Sequence, residues 1–377
     1  MTGKRANGEG NVRKRADGRW EATLTLPTGG RKSYYRKTRA EAMDALTRAL
    51  RDLAQGLPVV AEKQTVGEYL TSWLESAAHD LAPRTLTRYR AHIARNLTPA
   101  LGKVRLAKLG PQPIQALYAR KLAEGVAPGT VRQMHAVLRR ALGEATRLGL
   151  TPRNVATLVQ VPRSMRIEMQ VLTPEQARAL LAAAREEDDR LYALYLLSLR
   201  TGMRLGESLA LRWSDLDLTG KTPAAHVRAT LRYVNADEYY FDPPKTAKSR
   251  RRIRLGATEI EALHAHRARQ LEERLQAGAR WRDDDLVFCT PIGAAICGNH
   301  LSGRDFPALL QRAGLPRIRW HDLRHTCATL LLRQNVSPKV VSELLGHSTV
   351  TMTLDRYSHV LPDMQQAAIE AMDGALG

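Results

Sequence analysis

The segment His-Asp-Leu-Arg-His-Thr, residues 321–326, decides how the rest of the chain is interpreted. His321 and Arg324 are three residues apart, so on a helix they share one face and can reach one phosphate. His321 and His325 are four residues apart, a spacing that also occurs in zinc sites. However, Asp322 stands where a metalloprotease has the longer glutamate, and Arg324 would place a cation beside the metal. The segment therefore favours an anion site, and we predict no bound metal.

Three other segments add reactive side chains to this one. They are Thr-Gly-Met-Arg-Leu-Gly-Glu at 201–207, a basic run at 243–252, and a segment at 345–359 that begins Leu-Gly-His and ends Tyr-Ser-His. Each alone has a simpler interpretation: an arginine paired with a glutamate one helical turn away, a solvated basic patch, a histidine at a helix end, or a packed tyrosine. Together they bring two arginines, a lysine, two histidines and a late tyrosine into one basic domain. The candidate catalytic residues are Arg204, His321, Arg324, His347 and Tyr357, together with one lysine of the basic run.

This set of side chains suits the transfer of a phosphoryl group without a metal ion. Attack on a phosphodiester builds negative charge on its non-bridging oxygens, and a planar guanidinium can bind two of them at once. A tyrosine hydroxyl has an ordinary pKa near ~10; it is activated when nearby cations lower that pKa and a histidine takes its proton. The departing sugar oxygen needs a proton, which a lysine can donate.

The composition of the whole chain points to a polyanionic partner. Lysine and arginine number 58 against 38 acids, which gives a formal charge of +20 and a pI near 10.3. That excess favours nucleic acid or an anionic membrane surface, and the sequence has no apolar run near the ~18–20 residues of a spanning helix. Its three cysteines lack a paired spacing and no apolar stretch follows the first basic residues, so we expect a cytoplasmic protein. The sequence has no complete Gly-rich phosphate-binding loop, so we predict no nucleotide cofactor.

The hydrophobic pattern separates two smaller parts from the rest of the chain. Residues 1–62 are predicted to form three short strands followed by a helix. Residues 63–165 are predicted to be all-helical, because apolar residues recur there every three or four positions. The stretches 55–58 and 154–164 lack such a period and are predicted linkers.

Residues 170–377 form the largest part and mix helices with a few strands. Residues 226–233 and 251–255 are predicted to pair as a hairpin around the basic loop, and 285–288 is predicted to form a further short strand. The last segment, 364–376, is predicted to be an apolar helix that docks either on its own chain or on a neighbouring subunit.

Basic residues outside the catalytic set are candidate DNA contacts. Residues 1–62 hold 13 lysines and arginines against 7 acids, and the inferred sheet could lay alternate basic side chains into a major groove. The helical part offers arginines between its apolar positions, and the basic run adds further cations. The candidates are Arg19, Arg31 and Arg36 in the first part, Arg84, Arg88 and Arg95 in the second, and Lys248 and Arg250 in the basic run.

The four segments resemble the signature boxes of tyrosine recombinases, the phage integrases and their relatives. The order Arg, Lys, His-x-x-Arg, His, Tyr matches, and the tyrosine follows ten residues after the last of those histidines. The likeness is specific over 170–360 and general over 63–165, while 1–62 resembles the arm-site binding domain of some integrases. It implies a multidomain fold with a small α+β arm-binding module, an all-α core-binding domain and a mixed α+β, mainly helical catalytic domain.

The resemblance assigns four of the matched residues to the phosphate and its surroundings. It implies that Arg204 and Arg324 bind the scissile phosphate and that His347 donates a hydrogen bond to it. Glu207 would orient the site rather than react.

The remaining matched residues would move protons or form the covalent bond. The resemblance implies that Tyr357 forms a 3′-phosphotyrosyl link and that His321 assists its proton transfer. Lys245 would protonate the leaving 5′ oxygen, and Lys248 is the competing candidate for that role.

The resemblance also implies partners and a location. It implies double-stranded DNA attachment sites, a homotetramer on DNA, accessory DNA-bending or directionality factors, and a nucleoid-associated protein encoded by a bacterium or phage. Neither a metal nor ATP is expected. Two alternatives stay open: a type IB topoisomerase, which shares the chemistry, and an inactive DNA-binding regulator of the same fold.

Overall fold

The computed structural model describes residues 10–25, 31–54, 64–163, 169–233, 238–243, 250–357 and 364–376. The chain divides into two compact units, Met1–Arg166 and Ile167–Gly377. The predicted linker at 55–58 lies outside the described residues.

The first unit begins with a small antiparallel sheet covered by one helix. The strands pair in the order β1-β2-β3, and the apolar residues of the sheet face those of the helix, as the alternation in the sequence predicts. The elements are β1 (Asn11–Lys14), β2 (Trp20–Thr25), β3 (Arg31–Arg36) and α1 (Arg39–Ala54). Their core contains Ala22, Leu24 and Tyr34 from the sheet, and Ala42, Leu46 and Ala49 from the helix.

The register of this sheet corrects one prediction about its basic side chains. Arg31 pairs with Thr25, while Arg36 pairs with Trp20, which packs against the core on the helix side of β2. Residues 31 and 36 are an odd number of positions apart, so they lie on opposite faces of β3. Arg31 and Arg36 therefore do not project from one face, and the contact of Arg19, Arg31 and Arg36 with a DNA groove stays a prediction.

The rest of the first unit is a helical domain with its own core. Its first helix starts with a capping box, in which Thr65 and Glu68 each accept from the other's backbone N–H. Apolar residues at the predicted period are buried along it, including Val66, Leu70 and Trp73. The helices are α2 (Val66–Ala77), α3 (Pro83–His92), α4 (Thr98–Leu101), α5 (Pro111–Ala123) and α6 (Pro128–Arg147), with a π-helical turn at Ile93–Leu97 after α3.

Part of the predicted linker at 154–164 belongs to this helical core. Val155–Leu158 form a single 3-10 turn, and both Val155 and Ala156 are buried. Asn154 starts the turn: its side chain accepts from the backbone N–H of Ala156 and donates to the carbonyl of Arg139 on α6. One turn is too short to show a helical period, so the sequence pattern missed it.

The second unit is mainly helical with a few short strands, as predicted. It begins at the predicted capping box of Thr173 and Gln176, and its helix α8 is buried along almost all of its length. No helix in the described part of the chain is both long and apolar enough to cross a membrane. The helices are α7 (Pro174–Glu186), α8 (Tyr192–Thr201), α9 (Leu205–Ser208), α10 (Ala257–Ala277), α11 (Gly298–His300), α12 (Phe306–Arg312), α13 (Trp320–Arg333), α14 (Pro338–Leu345), α15 (Val350–Tyr357) and α16 (Met364–Leu376).

The strands of this unit differ from the predicted single hairpin. The strands are β4 (Leu216–Asp217), β5 (Ala224–Val227), β6 (Thr230–Tyr233), β7 (Tyr239–Asp242) and β8 (Arg251–Arg254). The predicted strand at 226–233 is divided between β5 and β6: β5 pairs with β8, whereas β6 pairs with β7, which was not predicted. The basic run therefore connects two strands that belong to different sheets.

The predicted strand at 285–288 is also wrong. Leu286 forms only an isolated bridge with Arg212, although Leu286, Val287 and Phe288 are all buried. Side chains of α10 take the place of a neighbouring strand, because Gln270 donates to the carbonyl of Leu286 and His266 bonds the carbonyl of Val287.

Candidate active site

The first side of the site is the turn between α8 and α9. Gly202 has a φ of +62°, and a Cβ there would collide with Leu345, so glycine is required at this close approach. The turn places Arg204 at the start of α9 and buries Glu207, which is 4% exposed. Glu207 accepts hydrogen bonds from the backbone N–H of Arg204 at 2.9 Å and from its guanidinium at 2.7 Å.

Arg251 is a site residue that the sequence analysis missed. Its guanidinium donates to the second oxygen of Glu207 at 2.9 Å and to the carbonyl of Leu344 at 2.7 Å, and its side chain is 7% exposed. Burial alone would raise the pKa of Glu207, but Arg251 and Arg204 outweigh it and lower that pKa to about 2. The strand alternation held the signal: Ile253 faces the core, so Arg251, two residues earlier, points inward as well.

Arg324 joins the end of α14 to the turn after α8. Its guanidinium donates to the carbonyls of Gly202 and Leu345, both at 2.7 Å, and the residue is 3% exposed. Burial and repulsion from Arg204 lower the pKa of Arg324 to about 9, which leaves it charged at neutral pH. Arg204 and Arg251 are hydrogen-bonded to Glu207, and Arg324 is attracted to the same carboxylate. Three guanidinium charges are thus balanced by one carboxylate, which leaves two positive charges in excess.

Two of the predicted histidines border this cationic site. His347 follows Gly346 at the end of α14, and its Nδ1 lies 2.7 Å from the hydroxyl of Thr353 on α15. His321 lies at the start of α13 with an exposed outer edge. In both rings, partial burial and the charges of Arg324 and Arg204 lower the pKa to about 4.

Tyr357 is the last residue of α15 and is only 1% exposed. Its hydroxyl lies 2.6 Å from Nδ1 of His325, and not against His321, which was predicted to assist it. The His321 and His325 rings are perpendicular, with centroids 4.8 Å apart. Burial raises the pKa of Tyr357 to about 12, although the charges of Arg324 and Arg356 act in the opposite direction.

His325 had a signal in the sequence, since it stands four residues after His321 in the segment that led the analysis. It was considered there only as a zinc ligand. Within the part of the chain that the structure describes, no three His, Cys, Asp or Glu side chains lie where they could hold a metal ion together.

The other predicted residues belong to other elements of the fold or fall outside the described chain. Lys245 and Lys248 fall in the stretch 244–249, between β7 and β8, which is not described, and Arg250 is exposed where β8 begins. In the first unit, Arg19 is exposed and bonded to Asp17, and Arg31 is exposed at the start of β3. The three arginines predicted in the helical domain are all exposed: Arg84 and Arg88 lie one turn apart on α3, and Arg95 lies in the π-helical turn.

Comparisons with known proteins identify the family of the chain. Residues 170–364 match the model of the Phage integrase family, and residues 65–122 match that of the phage integrase N-terminal SAM-like domain. An integrase of Streptomyces ambofaciens is 30% identical over 385 residues, covering 99% of this chain and 98% of that protein.

The Tn1549 transposon integrase, solved with a circular intermediate DNA, superposes with a TM-score of 0.70 at 21% identity, over 82% of this chain and 99% of that one. Lambda integrase, solved as a tetramer bound to a Holliday junction, gives a TM-score of 0.58 at 20% identity, over 94% and 96% of the two chains. The chain therefore belongs to the phage integrase family, the tyrosine recombinases.

Proposed function

We propose that this chain is a site-specific integrase that cleaves and rejoins DNA through a covalent bond between Tyr357 and a DNA phosphate. The observation that carries the proposal is the convergence of Arg204, Arg251 and Arg324 around the single carboxylate of Glu207. Positive charge that is partly withdrawn from water suits an anionic ligand, because the ligand supplies the missing counter-charge. A phosphodiester provides that charge and several acceptor oxygens.

The arginines and His347 would hold the phosphate. Arg204 keeps 39% of its side chain exposed and can turn N–H donors toward a phosphate. Arg324 is buried and contributes its positive charge to the same site. Nδ1 of His347 is engaged by Thr353, which leaves Nε2 as the ring nitrogen that can donate to a phosphate oxygen. Glu207 fixes Arg204 rather than reacting.

The reaction conserves the number of phosphoester bonds. The oxygen of Tyr357 attacks the phosphorus, the bond from phosphorus to the 5′ oxygen breaks, and Lys245 gives that oxygen a proton. The proton of Tyr357 leaves with assistance from His321. A free 5′ hydroxyl of the partner duplex then attacks the 3′-phosphotyrosyl bond and releases Tyr357. Because one phosphoester replaces another at each step, neither ATP nor a metal is required.

Other residues are proposed to bind DNA outside the cleavage site. In the helical domain, Arg84, Arg88 and Arg95 are exposed and suited to phosphate contacts. In the residue 1–62 module, the proposed arm-site reader, Arg31 and Arg19 remain candidates, whereas Arg36 lies on the other face of β3 from Arg31. In the catalytic domain, Lys248 and Arg250 of the basic run are proposed to reach the same duplex.

We also propose that the protein works as a homotetramer on two DNA attachment sites, with accessory bending or directionality factors. The C-terminal helix α16 exposes Ile369 at 55%, Met372 at 57% and Leu376 at 80%, an apolar set that a neighbouring copy can cover. The lambda integrase structure is likewise a tetramer on a Holliday junction. Its location is proposed to be the nucleoid of a bacterial cell.

The test is the covalent intermediate on a nicked attachment-site duplex, in which cleavage traps the protein on DNA. The wild-type chain should form the adduct in excess EDTA. Tyr357→Phe should form none and should bind DNA nearly as well, because it loses one hydroxyl and keeps the ring. An adduct from Tyr357→Phe would refute the nucleophile, and cleavage that stops in EDTA and returns with Mg²⁺ would refute the metal-free reaction.

The same assay separates the two alternatives. A type IB topoisomerase-like enzyme would form the adduct but would not exchange strands between two duplexes. An inactive regulator of the same fold would bind DNA and form no adduct. Strand exchange between two attachment sites is the result that only the recombinase gives.

A further inference from the structure

The side chain of Tyr357 is buried in this structure, in a position that a DNA phosphate cannot reach. It packs against Ala328, Leu332 and Val341, and 1% of the residue is exposed. Attack requires the tyrosine oxygen to come within roughly 3–3.5 Å of the phosphorus. A phosphate is attached on both sides to the DNA backbone and cannot enter a closed pocket in which Tyr357 is 1% exposed. The hydroxyl must therefore leave its present position before it can react.

The helix that carries Tyr357 is held in place by few contacts. In α15, only Thr353 and Tyr357 are buried, whereas Val350, Met352 and Leu354 are exposed. Each buried residue is hydrogen-bonded to a histidine: Thr353 to Nδ1 of His347 at 2.7 Å, and Tyr357 to Nδ1 of His325 at 2.6 Å. Release of α15 would therefore break two hydrogen bonds and withdraw two side chains from the core.

His325 is badly placed to serve as the base that activates Tyr357 in this pocket. The ring is 2% exposed and its Nδ1 faces the stored hydroxyl. Burial lowers the pKa of His325 to about 4 and raises the pKa of Tyr357 to about 12, so proton transfer between the two is strongly uphill here. The hydrogen bond stabilises the neutral, unreactive pair.

We propose that His325 is a positioning residue that holds the Tyr357 hydroxyl inside the protein until DNA binding displaces α15. The bond opposes the cleavage reaction, so its removal favours the exposed, reactive position of Tyr357. A general base in the same place would have the opposite effect on the rate. The inference rests on the proposed cleavage by Tyr357.

The experiment compares full-length variants on the nicked duplex in single-turnover cleavage at saturating protein. His325→Phe keeps a ring of similar size and removes the acceptor, and it should form the adduct about 2- to 10-fold faster, the range expected for one lost hydrogen bond. His325→Asn places an amide oxygen near the position of Nδ1 and should behave like the wild type. If His325→Phe fails to fold, His325→Ala tests the same bond with the same expected direction. An unchanged rate in the folded variant, or a loss of about 10² to 10⁴ typical of a missing base, overturns the proposal.

A second measurement follows the tyrosine without any cleavage. Tetranitromethane nitrates accessible tyrosines, and peptide mass spectrometry then gives the labelling of Tyr357 relative to Tyr35, which is 43% exposed. In DNA-free protein, Tyr357 should be protected in the wild type and in His325→Asn, and labelled faster in His325→Phe. Equal labelling of Tyr357 in all three proteins overturns the proposal. If the wild type forms no adduct at all, the proposed function fails, and the labelling still decides whether His325 holds Tyr357.

Discussion

Helices α13 and α15 carry the two halves of the candidate site and are held in the protein very differently. Ten of the 14 residues of α13 are buried, and Arg324 on it is bonded to the carbonyls of Gly202 and Leu345. Only two of the eight residues of α15 are buried. The arginine that would bind the phosphate is thus part of the core, while the proposed nucleophile, Tyr357, lies on a helix with few buried residues.

This difference suggests how such a site avoids reacting at the wrong time. A preorganised cationic half can bind DNA without rearrangement, since its charges are fixed by burial and hydrogen bonds. The half that carries Tyr357 buries only two side chains, so we expect a smaller gain in binding energy to move it than to move α13.

The largest expected effect lies outside both helices, at the leaving group. Lys245→Ala should slow cleavage by roughly 10² to 10⁴, because the 5′ oxygen departs without a proton. A substrate with sulfur at the 5′-bridging position has a good leaving group and should restore the rate of Lys245→Ala, but not that of Arg204→Ala. If the sulfur substrate restores Lys248→Ala instead, Lys248 is the general acid.

Replacing Arg324 tests whether α13 is a fixed, cationic half. Arg324→Ala should slow single-turnover cleavage by about 10² to 10³, the cost of removing one donor to the developing charge. It should also lower the unfolding midpoint, because two buried carbonyls lose their donor. Arg324→Lys keeps the charge but cannot bridge both carbonyls, and we expect an intermediate rate. Cleavage by Arg324→Ala within tenfold of the wild type would contradict the role.

Replacing Arg251 should have a smaller effect that depends on pH. Arg251→Met removes the strongest contributor to the low pKa of Glu207, so that pKa should rise from about 2 toward its ordinary value. Glu207 loses its negative charge when the pH falls through its pKa, and in the variant this happens at a higher pH than in the wild type. The variant should therefore lose activity at a higher pH than the wild type, with a rate about tenfold lower near neutrality, measured at saturating protein. Arg254→Met, on the exposed side of β8, is the matched control and should keep the wild-type pH profile.

Sequence periodicity predicted the helices well where many apolar residues repeat, as from Val66 to Ala77 in α2. It failed where backbone groups are satisfied by side chains distant in sequence. The carbonyls of Leu286 and Val287 bond to Gln270 and His266 on α10, and no local pattern announces those partners. The same segment is apolar and buried, so it resembles a strand in every respect except its hydrogen bonds.

The candidate site shows the same division. The motifs indicated which residues meet, and the structure places Arg204, Arg324 and His347 around one cationic site. The motifs did not indicate that the Tyr357 hydroxyl is buried and bonded to His325, because that depends on how α15 packs on the rest of the protein. Arg251 was predictable from strand alternation, but its partners Glu207 and Leu344 were not.

The smallest predicted effect is a loss of stability at low pH, caused by protonation of the histidines on α13 and just before α15. The pKa values of His321, His325 and His347 are each lowered to about 4, mainly by burial. The unfolded chain binds their protons near pH ~6.5, so the stability that they contribute is complete above that pH and is lost as pH falls toward 4.

The unfolding midpoint of the full chain should therefore drop between pH 6.5 and 4.5, and less so for His325→Phe, whose ring cannot be protonated. We expect the two curves to differ by about 2–4 °C in their acid shift, the change that about 1 kcal/mol gives in a unit of this size. His135 and His266 also have pKa values lowered by burial, but they are present in both proteins and cancel in the comparison. His264→Gln, an exposed position on α10, is the control and should follow the wild type. If His325→Phe follows the wild type as well, protonation of His325 does not account for the acid-induced loss of stability.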